Sequence, residues 1–106
     1  MESKNDKIIV QIDEDLEDLI PMFLENRTND IAKIKNAIKQ QDYNIIRTIG
    51  HSMKGTGGGY GFDEISSIGA VIESSALKKD ADSIEKMLDK LVLYLKSVEV
   101  VFVSDV

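Results

Sequence analysis

From Leu16 to Val98 the chain repeats one pattern: a stripe returns every three or four positions and breaks only at short polar joins. At about 100° per residue, that spacing puts the stripe on one face of a helix. The first stripe holds Leu16, Leu19, Ile20, Phe23, Leu24, Ile31, Ile34 and Ile38, with Arg27 in phase. Pro21 interrupts it by removing a donor and crowding the preceding turn, so the first helix is kinked or split there. Gln40 and Gln41 close the segment, and Asp42 caps a second helix from about Tyr43 to Tyr60, with Gly61 at a left-handed C-cap. Asp63 caps a third, striped by Ile65, Ile68, Ile72 and Ala76, and Lys78 and Lys79 suit its last turn. Gly69 and Ala70 are small enough for close packing. Asp80 or Asp82 starts a fourth, striped by Ile84, Met87, Leu88, Leu91, Leu95 and Val98. Joins this short make successive helices antiparallel neighbours. The pattern predicts an all-α, up-down-up-down four-helix bundle.

The two ends fit this scheme less well. Residues 1–7 are polar and expected to fray. Lys7 to Ile12, KIIVQI, is strand-like, but a lone strand has nothing to pair with. Residues 1–12 therefore read as an extended lead-in laid on the bundle, and 13–106 as the single domain. Asp13 suits an N-cap, with acidic residues in the following turn. The tail VEVVFVSDV either extends the fourth helix or peels away from it.

At 106 residues the chain supports one modest core, and 42% apolar with 30% charged residues describes a soluble globular protein. No cysteine is present, which excludes disulfides and thiolate metal sites. The apolar runs fall far short of a membrane span, and MESKNDK lacks the apolar segment of a signal peptide, so a cytoplasmic protein is expected. A net charge of −6 argues against nucleic acid as a partner and, with a closed bundle, for a monomer.

The chemistry concentrates in Arg47 to Phe62, RTIGHSMKGTGGGYGF, which holds the only histidine and six of the seven glycines. With His51 set at zero on a helical wheel, Ile46, Ile49, Met53, Thr56 and Tyr60 fall at roughly 140° to 220°, a core stripe on the far side. Arg47, Lys54, Gly55 and Gly58 fall within roughly 60° of the histidine. Each glycine inside a helix costs about 1 kcal/mol relative to alanine. A flexible loop over GTGGGYG would explain them equally well by composition. The phase of Tyr60 with Ile49, Met53 and Thr56 favours a helix that continues, leaving His51 exposed beside bare backbone.

Several chemistries fail on this stretch. A phosphate-cradling loop needs its lysine after the glycines, and Lys54 precedes them. A dinucleotide fingerprint counted from Gly55 would need a third glycine where Tyr60 stands. One histidine without cysteine makes no metal cluster. Ser52 points about 100° away from His51 and cannot form a triad on its face. The histidine itself remains as nucleophile, since an exposed imidazole is largely neutral at pH 7. It can accept a phosphoryl group, whose charge Lys54 and Arg47 would offset.

His51-Ser52-Met53-Lys54-Gly55, then Gly58, Gly59 and Tyr60-Gly61-Phe62, resembles the signature of histidine-containing phosphotransfer (HPt) domains, more loosely from Asp13 to Val98. The resemblance implies the same four-helix bundle. It implies His51 as the phospho-accepting residue through Nε2, Lys54 as neighbour of the phosphoryl group, and Gly55 and Gly58 as clearance for a docking partner, with Gly59 beside them. Gly50 departs from the alanine or other small residue that many relatives carry before the histidine. The implied function is a phosphorelay intermediate, taking a phosphoryl group from a receiver aspartyl-phosphate and passing it to another receiver. Partners would be response-regulator receivers or hybrid histidine kinases. The chain itself would hold no cofactor and no metal, Mg²⁺ being supplied by the receiver, and would have no autokinase activity. The rival readings are a scaffold bundle in which His51 is incidental, and an enzyme using His51 as base. The latter needs a second titratable group on the same face, and the second helix offers none.

Overall fold

The computed structural model describes residues 7–104. Four α-helices dominate the described residues: α1 Ile20–Lys39, α2 Tyr43–Gly57, α3 Asp63–Leu77 and α4 Ala81–Ser97. The stripes meet in one core, where Ile34, Ile46, Met53, Ile65, Ile72, Ile84 and Leu91 are fully buried. Each such side chain contributes roughly 1.5–3 kcal/mol by leaving water. Asp42 and Asp80 cap α2 and α4, accepting hydrogen bonds from the amides of Ile45 and Ser83. Helix α2 runs into the glycines as far as Gly57, tightens to a 3₁₀ turn over Gly58–Tyr60, and ends at Gly61 with φ +95°.

The ends of the chain correct the all-α expectation. Ile8–Asp13 forms a strand, β1, and Val98–Val103 forms a second, β2; the two pair in parallel from Ile8 opposite Val98 to Asp13 opposite Val103. The lead-in that seemed to have no partner finds it at the far end of the chain, and the tail peels away from α4. Parallel strands need a long crossover, and here the whole bundle supplies it. Both segments are rich in β-branched residues. Val10, Ile12, Val98, Val100 and Phe102 pack on the core, while Ile9, Gln11, Glu99 and Val101 face water. Lys7 pairs with Glu99 at 3.6 Å; the rest of the segment expected to fray, residues 1–6, lies outside the described residues.

Local details differ at three further points. Asp13 accepts a hydrogen bond from the Asp15 amide and caps a 3₁₀ segment, Glu14–Leu19; α1 begins only at Ile20, with Pro21 in its first turn. A proline is tolerated there because the first-turn amides have no intrahelical partner. Leu19, placed in the stripe, is half exposed because 3₁₀ geometry changes its phase. Phe62, not Asp63, occupies the N-cap of α3 without a side-chain cap, and Lys78 and Lys79 lie beyond its last turn. Arg27 earns its place in the α1 stripe: its guanidinium lies 4.7 Å from the Phe23 ring centre and pairs with Asp30 at 2.9 Å.

Helices α2 and α3 meet backbone to backbone. A Cβ on Gly69 would stand 2.6 Å from the Lys54 nitrogen and 2.6 Å from the Met53 Cβ; one on Gly50 would stand 2.7 Å from the Glu73 nitrogen. Gly50 is therefore a packing notch. This approach sets the side chains of the two helices against each other at His51.

Candidate functional site

His51 stands on the exposed face of α2, with its side chain 69% accessible. The residue that organises it comes from α3. His51 Nδ1 lies 2.9 Å from Glu73 Oε2, and Lys54 Nζ donates to Glu73 Oε1 at 3.0 Å. One carboxylate thus spends one oxygen on each of its neighbours. The hydrogen bond from Lys54 is the largest influence lowering the Glu73 pKa below the ordinary glutamate value; partial burial opposes it, and the His51 hydrogen bond, the Lys54 charge and that of His51 when protonated add to the lowering. Glu73 is therefore ionised at neutral pH and can only accept. A neutral His51 then carries its proton on Nδ1 and donates it to Glu73. Nε2 is left with its lone pair.

Glu73 escaped the sequence reading, which looked for a second titratable group on α2 alone. A signal did exist. Beyond the acidic first turn, Glu73 is the one charged residue in α3, DEISSIGAVIESSAL.

The predicted site residues divide by contact. Lys54 joins His51 through the shared carboxylate. Arg47 is exposed and makes no ion pair among the described residues, so it is not drawn into this cluster. Nothing lies within 4 Å of where a Cβ would stand on Gly55 or Gly59; on Gly58 it would meet Ser66 Oγ at 3.4 Å and Asp63 Oδ1 at 3.6 Å. Gly57, by contrast, is buried against α3. Beside the Gly58–Tyr60 turn, a shallow cleft is lined by Asp18, Leu19, Met22, Phe23, Asn26 and Tyr60. Leu19 and Met22 are exposed at its rim, and Phe23 stacks on Tyr60 at 4.5 Å beneath it. Among the described residues no group of acidic or histidine side chains is arranged to hold a metal ion, and no helix is long and apolar enough to cross a membrane.

This arrangement holds an imidazole in one tautomer, open to solvent at Nε2, on a helix whose adjoining turn carries few side chains. Among known proteins, the family model of the Hpt domain matches residues 18–99, which takes in all four helices and both partners of the His51–Glu73 contact. No curated protein and no solved structure gave a match. On the extent of that match the chain belongs to the Hpt domain family, phosphocarriers rather than enzymes, whose members work with receiver domains and histidine kinases in two-component phosphorelays.

Proposed function

We propose that this protein is a phosphorelay carrier in which His51 Nε2 takes a phosphoryl group from an aspartyl-phosphate of one receiver domain and hands it to the aspartate of another. The observation that carries the reading is the His51 Nδ1 to Glu73 hydrogen bond at 2.9 Å. It leaves the nucleophilic lone pair on the ring nitrogen opposite the carboxylate. In the transfer, the N–P bond forms at Nε2 as the acyl P–O bond breaks and the aspartate leaves as carboxylate. The Nδ1 proton stays in its hydrogen bond, so the phosphorylated ring needs no proton lost or gained. Lys54, kept beside the ring by Glu73, offsets the added charge. Arg47, exposed on the same helix, adds to the positive rim.

Docking takes place on the His51 face. Gly55, Gly58 and Gly59 supply bare backbone there, and the cleft at Leu19 and Met22 supplies an apolar edge from the first helix. Mg²⁺ and the remaining catalytic groups belong to the receiver, so the chain has no autokinase activity and no turnover alone. The short joins between helices support the up-down-up-down order expected of such a carrier, acting as a monomer in the cytoplasm.

The test is phosphoryl uptake by the purified chain from phosphorylated receiver domains with Mg²⁺, wild type beside His51→Gln, read by intact mass. An acid-labile gain of one phosphoryl group, absent in the variant, is expected. No uptake from any receiver of a broad panel would sink the reading in favour of a scaffold.

A further inference from the structure

Helix α3 grips α2 at three levels on one face. Glu73 holds the side chains of His51 and Lys54, Gly69 packs on the backbone of Gly50 and Lys54, and Ser66 reaches the last turn. The Ser66 hydroxyl accepts a hydrogen bond from the Gly58 amide at 2.7 Å and donates one to the Lys54 carbonyl at 2.8 Å. Those two groups are four residues apart, the pair that an uninterrupted α-helix joins directly. A side chain from a neighbouring helix has entered the ladder where α2 gives way to the 3₁₀ turn, a recognised cause of a local change in helix path. Entry requires Gly57. A Cβ there would lie 2.6 Å from the Ser66 nitrogen and 2.9 Å from its Oγ.

From this geometry we infer that Ser66 is a positioning residue for partner docking: its hydroxyl splices the end of α2 and fixes the course of the bare Gly58–Gly59 backbone relative to His51. The inference rests on the phosphotransfer reading, because it assigns the glycine turn to receiver contact. Ser66 touches neither His51 nor Glu73 through any hydrogen bond among the described residues, so its effect reaches the chemistry only through the shape of the docking turn. Without the hydroxyl, the Lys54 carbonyl and Gly58 amide must close on each other or turn to water. Either way the glycines lose their fixed path.

The experiment compares wild type with Ser66→Ala in two reactions: phosphoryl uptake from the receiver domain that serves the wild type best, across receiver concentrations, and uptake from phosphoramidate, a small donor that needs no docking. Ser66→Ala should raise the half-saturating receiver concentration about five- to tenfold, the consequence of losing roughly one net hydrogen bond. The maximal rate and the phosphoramidate rate should stay at wild-type values, and the Gly58 amide should exchange hydrogen faster while Met53 does not. An unchanged half-saturating concentration, or an equal slowing with both donors, would overturn the inference. If the wild type takes phosphate from phosphoramidate but from no receiver, the phosphotransfer reading falls and this inference falls with it.

Discussion

A Cβ placed on Gly69 would lie 2.7 Å from the carbonyl oxygen of Gly50, so the two helices that build the site touch through glycine on both sides. Adding a methyl at either position forces the backbones apart. Gly69→Ala should destabilise the fold by about 1–3 kcal/mol, the usual cost of overpacking, measured by urea unfolding. Because Glu73 lies one turn further along α3, the same variant should weaken the His51–Glu73 contact.

Gly55 gives the opposite result. It lies inside α2 with nothing within 4 Å of a prospective Cβ, so Gly55→Ala meets no obstacle. Helix propensity then raises stability by up to about 1 kcal/mol. Uptake from a receiver should nevertheless fall, while uptake from phosphoramidate holds. A variant that is destabilised, or that transfers normally from receivers, would count against the clearance assigned to this glycine.

Glu73→Ala removes the acceptor that selects the His51 tautomer. Nitrogen-15 NMR of the wild-type ring should find the proton on Nδ1, and the variant should show a mixture. Transfer from phosphoramidate should slow on the order of tenfold, equivalent to about 1.4 kcal/mol in the barrier. An unaltered rate would remove Glu73 from the mechanism.

The same carboxylate predicts a pH dependence. Its pKa is lowered from 4.5, chiefly by the hydrogen bond from Lys54, so the folded state holds the Glu73 proton less tightly than the unfolded chain does. The contact therefore stabilises the fold above about pH 4.5, and that contribution is lost as pH falls through the lowered value. Carbon-13 titration of the carboxyl should find its midpoint below 4.5 in the wild type and higher in Lys54→Met. Equal midpoints would show that Lys54 is not the cause.

The strand pair makes its own test. Ile12 is 1% exposed and closes the core from β1, whereas Ile9 points outward and is 56% exposed. Ile12→Ala should cost about 2–5 kcal/mol, and Ile9→Ala should stay within about 0.5 kcal/mol. Comparable losses at both positions would mean that the sheet does not seat on the bundle as described.

What could be read from the sequence follows from the range of the interactions involved. The apolar period found the four helices, and Asp42, Asp80 and Gly61 marked ends because each acts on its own neighbours. His51 and Lys54 stood out because they share a helix face with the glycines. The roles of Glu73 and Ser66 and the β1–β2 pairing went unassigned for one reason: each depends on a contact between segments distant in sequence. A periodicity argument assigns a residue to a face but does not say what the face meets. The roles of the glycines divide in the same way, since only the position of α3 separates the packed Gly50 and Gly57 from the open Gly55 and Gly59.

The parallel pairing of β1 with β2 bears on how the domain carries force. Tension applied to its two ends would pull β1 from the Ile8 end and β2 from the Val103 end, the opposite ends of a parallel pair. The load then runs along the strands in shear, and the inter-strand hydrogen bonds must yield together instead of opening one at a time. The sheet acts as a mechanical clasp, so traction along the chain reaches the helix that carries His51 only after the clasp has failed.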